Sequence, residues 1–300
     1  MRTVYLGTSE FAAGVLRTLA ASPHRPSLVL TRPDRPRGRG RRLASPPVAD
    51  AARELGIELD QPESVNDGLV RARIAAVDPE TICVCAFGAL IKEPLLSEYE
   101  LLNVHPSLLP RWRGAAPIER AIMAGDQQTG VSIMRVTAGL DSGPVCLAGE
   151  EPIGPEDTYG TLAGRLERIG GELLVSVLDH SAGGLRFHEQ DEALVTYAEK
   201  ITAADRLLDP SRPAVELQRV VRALAPHVGA AVVLPDGGRL GVWQAVARPG
   251  SSAVAAVGEL SLDGPLPALG CADGALELVV VQPAGRRAMS GEAFLRGQRS

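Results

Sequence analysis

Pro79-Glu80-Thr81-Ile82-Cys83-Val84-Cys85-Ala86-Phe87-Gly88 is the stretch on which the fold turns. From residue 80 to residue 86 the run is apolar almost without break, and Pro79 and Gly88 punctuate its ends. A strand with one wet face alternates apolar and polar residues. A short continuous run fits a strand covered on both faces, as in a parallel sheet with helices on either side. Cys83 and Cys85, two apart, point to the same side of such a strand. No second Cys or His pair has zinc spacing, so the reading is structural thiols in a reducing compartment.

Outward from this run the chain alternates between two periods. Residues 4–6 form a short apolar strand ending at Gly7, and residues 11–21 have helical spacing. Residues 27–31 read as a second strand. Ser45-Pro46-Pro47 opens a helix, with Ser45 as N-cap, and Gly56 closes it. Residues 102–104 are another strand, and residues 118–124 a helix ended by Gly125. Strands at 131–136 and 145–149 and a long helix over 158–178 complete the rhythm. Alternating strands and helices predict a mainly parallel, doubly wound α/β sheet.

Between about Gly184 and Asp209 the pattern loosens, and the segment reads as a connector laid over the surface. A helix follows at 214–224, then short β-like runs at 230–234, 240–247, 254–260 and 276–282. Pro235-Asp236-Gly237-Gly238 and Ala272-Asp273-Gly274 separate them. Short strands at this spacing predict a small β-barrel. The expected organisation is a domain over residues 1–184, a connector over 185–209 and a barrel-like domain over 210–300. A chain of 300 residues suits two such cores.

Composition is that of an ordinary globular protein, 45% hydrophobic and 22% charged. Its formal net charge of −5 excludes a generally basic nucleic-acid binder, so any nucleic-acid contact must be local. The N-terminus enters a strand directly without a signal-peptide core, and no apolar run approaches membrane-spanning length, which predicts a cytoplasmic protein.

Three features carry chemistry. Asn103-Val104-His105 stands at the end of a predicted strand, so both polar side chains share a face at the carboxyl edge, where open α/β sheets bind ligands. An amide and a titratable ring there can donate hydrogen bonds to an oxygen that gains charge, although a turn-forming Asn beside a surface His fits the same spacing. Asp141 lies in the tight loop Gly139-Leu140-Asp141-Ser142-Gly143-Pro144. It is either a turn residue or a carboxylate serving a neighbouring His. From Arg32 to Arg42 there are six arginines and one acid, set among Pro and Gly; this reads as a loop able to grip phosphates. After the first strand, Gly7-Thr8-Ser9-Glu10-Phe11-Ala12 lacks G-x-G-x-x-G, so no dinucleotide site is supported.

Taken together these segments resemble the formyltetrahydrofolate-dependent formyltransferases. The resemblance runs through Gly7–Ala12, Pro33–Pro36 with Gly38-Arg39-Gly40, the block 103–117, residues 130–134 and 139–143, Val195-Thr196-Tyr197-Ala198-Glu199-Lys200, and residues 282–289. Pro106 stands where the family commonly has a smaller residue, and residues 225–229 lack aromatics often seen there. The resemblance implies a Rossmann-like catalytic domain followed by a small C-terminal barrel of OB-like shape that binds tRNA. It implies 10-formyltetrahydrofolate as formyl donor, with no metal and no covalent intermediate. Asn103, His105 and Asp141 match the catalytic trio. Ser107, Leu108, Leu109 and Pro110, with Phe87, Gly88, Ala89 and Leu90, match folate-contacting segments. Arg35, Arg37, Arg39, Arg41 and Arg42 match a loop that reaches the tRNA acceptor end. The expected reaction is formylation of the methionine amine on initiator tRNA by a monomer. A sugar nucleotide, glycinamide ribonucleotide or water are the rival acceptors; the arginine run and the second domain favour tRNA.

Overall fold

The computed structural model describes residues 1–37, 42–234, 237–251 and 255–298. In chain order its elements are β1 (Thr3–Gly7), α1 (Glu10–Ala20), β2 (Leu28–Leu30), β3 (Arg35–Arg37), β4 (Arg42–Ala44), α2 (Pro47–Leu55), β5 (Glu58–Asp60), α3 (Gly68–Val77), β6 (Thr81–Cys85), α4 (Leu95–Glu98), β7 (Leu101–His105) and β8 (Arg113–Gly114). Then come α5 (Pro117–Ala124), β9 (Gln128–Arg135), β10 (Val145–Pro152), α6 (Tyr159–His180) and β11 (Tyr197–Ala198). The chain ends with α7 (Ala214–Leu224), β12 (Ala230–Val233), β13 (Arg239–Pro249), β14 (Leu260–Ser261), β15 (Ala268–Cys271), β16 (Gly274–Gln282), β17 (Met289–Ser290) and α8 (Gly291–Gln298).

Two compact units divide the chain. The first holds Met1–Gly114, Thr129–Glu151 and Ala163–Tyr197; the second holds Ala115–Gln128, Pro152–Leu162 and Ala198–Ser300. The first is built on a seven-stranded sheet of order β10-β9-β7-β6-β1-β2-β5. β5, β2, β1, β6 and β7 run parallel, and β9 is antiparallel to β7. All five residues of β6 are buried, as a run covered on both faces requires. Val4, Leu6, Leu28, Leu30, Ile74, Ile82, Val84 and Phe87 fill one core cluster. The chain leaves β1 for β2 on one side and returns to β6 on the other. The carboxyl ends of β1 and β6 therefore flank the topological switch point, where such sheets open a crevice.

Local signals place most of these elements. Ser9 caps α1, its hydroxyl accepting from the Ala12 amide at 3.2 Å. The expected cap of α2 is different: Ser45 takes no part in it and instead accepts from Arg53 Nη1 at 2.9 Å. Pro47 pushes Pro46 out of the helical region, so the helix starts at Pro47 and leaves Ser45 too far back. The end is as expected, with Gly56 left-handed at φ 65°. The arginine run is not a plain loop at its base. β3 and β4 pair antiparallel, Arg35 opposite Ala44 and Pro36 opposite Leu43, forming a two-stranded ribbon. Each strand of a two-stranded ribbon has a free edge, so Pro36 is tolerated in it.

In the second unit β12-β13-β16-β15-β14 form an antiparallel sheet, with β17 added on β16. Helix α7 lays Leu217, Val220, Val221 and Leu224 into a core with Val232, Leu240, Val242, Leu276, Leu278 and Val281. The strand expected at 254–260 is reduced to β14 at Leu260–Ser261, with Val254 outside the described residues. β15 takes the place beside β16. Among the described residues no helix is long and apolar enough to cross a membrane.

Candidate active site

β7 delivers two polar side chains to the carboxyl edge of the first unit's sheet. The strand's burial follows from its sequence: Leu102 and Val104 are buried on one face, and positions 103 and 105 share the opposite face with the buried Leu101. His105 is 4% exposed, which a surface histidine would not be. Its Nε2 lies 2.9 Å from the Trp112 carbonyl oxygen. A carbonyl only accepts, so Nε2 carries the hydrogen. Nδ1 is then the ring atom left to exchange a proton, and the Asp141 carboxylate faces it at 3.7 Å. That separation is ion-pair range but too long for a hydrogen bond.

Asn103 is half-buried, and its side-chain amide has no hydrogen bond among the described residues. An asparagine serving a turn bonds its own loop's backbone. This one does not, so both of its N–H donors remain available at the edge of the sheet.

The Asp141 loop is held by backbone geometry. Asp141 is left-handed at φ 45°. Gly143 approaches β9 so closely that a Cβ there would lie 2.0 Å from the Arg135 carbonyl oxygen. The carboxylate's Oδ2 accepts from the Gly114 amide at 2.9 Å. The loop thus hangs between the ends of β9 and β10, and β8 meets it from across the site.

Segment 107–112 folds back against β9. Ser107 is wholly buried; its hydroxyl donates to the Arg111 carbonyl at 2.7 Å and its own carbonyl accepts from Ser132 Oγ at 2.8 Å. Ser132 Oγ in turn accepts from the Leu109 amide at 3.1 Å. Leu108 covers Gly130. Leu108, Leu109 and Pro110 are half-exposed, and the Leu109–Pro110 peptide is cis. At the switch point Thr8 Oγ1 donates to the Phe87 carbonyl at 2.7 Å. The Phe87 ring belongs to the core cluster, whereas Gly88 and Leu90 are exposed and Ala89 half-exposed. Asn66 steadies this loop, donating to the Leu90 carbonyl and accepting from the Lys92 amide, both at 2.8 Å.

The arginine ribbon leaves the same edge, because β3 follows the carboxyl end of β2. Arg35 is exposed, with Glu63 3.9 Å away. Gln61 anchors the root of the ribbon by donating to the Arg32 carbonyl at 3.0 Å and to Asp34 at 2.7 Å. Arg37 and Arg42 are backbone partners in the ribbon's register. Arg39 and Arg41 lie outside the described residues.

Sequence reasoning missed the partners of the trio. Trp112 supplies its carbonyl to His105 and Gly114 its amide to Asp141; both lie in the block already singled out, but backbone groups leave no residue-type signal. Arg113, Gln190 and Glu192 form a further polar layer, described below. Among the described residues no group of three His, Cys, Asp or Glu side chains could hold a metal.

The mainly parallel sheet thus presents an amide with no hydrogen bond among the described residues and a carbonyl-oriented histidine at its carboxyl edge. The chain belongs to the formyl transferase family: residues 1–178 match the family described as Formyl transferase and residues 200–299 match Formyl transferase, C-terminal domain. It is 43% identical to the methionyl-tRNA formyltransferase of Methylobacillus flagellatus, over 99% of this chain and 96% of that one. It is 42% identical to the methionyl-tRNA formyltransferase of Methylococcus capsulatus, over 98% and 96%. Among solved structures it resembles HypX from Aquifex aeolicus in complex with tetrahydrofolic acid, at TM-score 0.65 and 18% identity over 98% of this chain. This chain spans about half of that protein, 47% of its length. It also resembles an N-formyltransferase from Helicobacter canadensis, at TM-score 0.66 and 13% identity over 92% of this chain and 98% of that one. These distant likenesses bear on the fold alone.

Proposed function

We propose that this protein transfers the formyl group of 10-formyltetrahydrofolate to the α-amino group of methionine carried on initiator tRNA. The observation that carries the reading is the edge constellation of Asn103, His105 and Asp141 in a chain more than two-fifths identical, end to end, to methionyl-tRNA formyltransferases. The reaction forms a C–N bond between the methionine amine and the formyl carbon and breaks the bond from that carbon to N10 of the folate. The amine loses a proton and N10 gains one.

Asn103 donates a side-chain N–H to the formyl oxygen as it becomes an oxyanion. A second donor is the Nδ1–H of a protonated His105. The Trp112 carbonyl keeps the ring from turning. Asp141 faces Nδ1 at 3.7 Å without consuming its N–H in a short hydrogen bond. It also stands ready to receive the amine proton, directly or through water. The nucleophile needs little help: a free α-amine titrates at roughly 7.7–8.0, so a useful fraction is neutral at physiological pH.

Gly88, Ala89 and Leu90 at the switch point, with Leu108, Leu109 and Pro110, form the wall proposed for the folate. Phe87 and Ser107 serve it from beneath: the first fills the core and the second ties the backbone, so any folate contact of Ser107 runs through main-chain groups. Arg35, Arg37, Arg39, Arg41 and Arg42 are the proposed grip on the tRNA acceptor end; β3 and β4, to which Arg35, Arg37 and Arg42 belong, follow β2 at the same sheet edge. In this reading residues 1–184 form the catalytic domain, 185–209 the connector and 210–300 a barrel-like tRNA-binding domain. The protein works as a monomer in the cytoplasm, where translation begins.

The test is transfer of labelled formyl from 10-formyltetrahydrofolate to charged initiator tRNA, a dTDP-amino sugar, glycinamide ribonucleotide and water, side by side. The expected outcome is turnover with the charged tRNA alone. Equal or better turnover with the amino sugar overturns the acceptor assignment, and no transfer to any acceptor overturns the reaction.

A further inference from the structure

Behind Asp141 stands a polar layer that the proposed reaction does not use. Arg113 is 2% exposed, an unusual place for a guanidinium. Its Nε donates to Gln190 Oε1 at 2.9 Å and its Nη2 to Glu192 at 2.7 Å. Arginine only donates, so Oε1 must be the Gln190 atom facing it, and the amide nitrogen is forced to the opposite side. There Gln190 Nε2 donates to the Asp141 carbonyl at 2.9 Å and the Gly143 carbonyl at 2.7 Å. Both of its hydrogens are consumed in clamping the two ends of the turn that presents the carboxylate. Asp141 needs such a clamp, because its φ of 45° is one that a residue with a Cβ rarely adopts unaided.

The same segment secures the other half of the constellation. Thr196 accepts from the Trp112 amide through its hydroxyl and from the Arg113 amide through its carbonyl, both at 2.9 Å. That fixes the peptide whose carbonyl orients His105 and the neighbour of Gly114, whose amide holds Asp141 Oδ2. Gln190 is 49 residues from Asp141 and 77 from Arg113, so this closure is made by the fold and not by local sequence.

We propose that Gln190, oriented by Arg113, is a positioning residue for the reaction: it holds the Asp141 carboxylate at its working distance from His105 Nδ1. The proposal rests on the reading of Asp141 as a member of the catalytic set. Gln190 touches no reacting atom in this account, so its removal should act on kcat and spare substrate binding.

Single-turnover and steady-state formylation of charged initiator tRNA test this with the full-length chain. Gln190→Ala is expected to lower kcat roughly 10- to 100-fold, below the about 10²–10⁴ that loss of an acid–base group itself costs, with both KM values within about twofold. Gln190→Glu keeps an acceptor for Arg113, loses both N–H donors, and is expected to fall equally; it preserves the test if the alanine variant fails to fold. The Asp141→Asn, Gln190→Ala double variant is expected to be no slower than Asp141→Asn alone, since the glutamine acts through the aspartate. Additive losses, a raised KM with kcat unchanged, or native kcat in both Gln190 variants while Asp141→Asn is impaired each overturn the proposal and leave the role of Asp141 standing. A native rate in Asp141→Asn overturns the reading of Asp141 instead, and the positioning role with it.

Discussion

At the scale of single residues, Asn103 is the sharpest case. Among the described residues its side-chain amide has no hydrogen bond to lose, so truncation should cost the fold little and the reaction much. Asn103→Ala is expected to lower kcat by about 10²–10³ with the melting temperature unchanged, the usual scale for one oxyanion donor. A near-native single-turnover rate would remove Asn103 from the catalytic set. The cysteines make the opposite case, residues that chemistry leaves alone. Burial pushes the Cys83 and Cys85 thiols up to about 12 and those of Cys146 and Cys271 up to about 11. The thiolate is the reactive form, so all four should resist a thiol reagent at pH 8 in the native protein and react together in denaturant. Labelling of Cys83 in the native state at the rate of a free thiol would contradict the packing of β6.

At the scale of elements, α5 of the second unit is pinned by an ion pair. Arg120 donates to Asp205 at 2.7 Å, and Thr202 donates to the same carboxylate through both its amide and its hydroxyl. The Arg120 hydrogen bond, followed by those from Thr202, holds the Asp205 carboxyl down at about 2. A depressed carboxyl stabilises the fold above its unfolded value of about 3.9, and that stabilisation is lost as pH falls toward 2. Asp205→Asn should therefore lower the melting temperature at neutral pH, by the equivalent of about 2 kcal/mol. The gap to the native protein should narrow between pH 4 and pH 2. A gap independent of pH would place the effect elsewhere. Elements also set the limits of pattern reading. α3 was missed because only Val70 and Ile74 are buried on it, too little for an apolar stripe. β5 was missed because it is a three-residue edge strand with an acid at each end. β15 escaped because Pro and Gly flank and interrupt its apolar residues.

At the scale of the whole molecule, a chain of net charge −5 gathers six of its arginines between residues 32 and 42. Such a concentration makes binding to a polyanion local and salt-dependent. Arg39→Ala should raise the KM for charged tRNA, reduce the salt slope of tRNA binding by about one, and leave the KM for 10-formyltetrahydrofolate unchanged. Unaltered tRNA affinity and slope would release the arginine run from that role. The run from Glu80 to Ala86 by itself determined that a strand buried on both faces lies at the centre of the chain, and hence a parallel sheet with a ligand-binding carboxyl edge. Spacing by two determined that Asn103 and His105 share a face there, because strand periodicity is a local property. Resemblance of motifs along the chain supplied the donor, the acceptor and a place for Asp141. What only the tertiary structure decided is which groups meet. It set Asp141 opposite His105 Nδ1 and fixed the ring's tautomer through a backbone carbonyl. It also brought Gln190 from a segment read as a surface connector to the turn that carries Asp141. Those contacts join residues 36 to 77 positions apart or run through main-chain atoms common to every residue, and no local pattern of side chains encodes either.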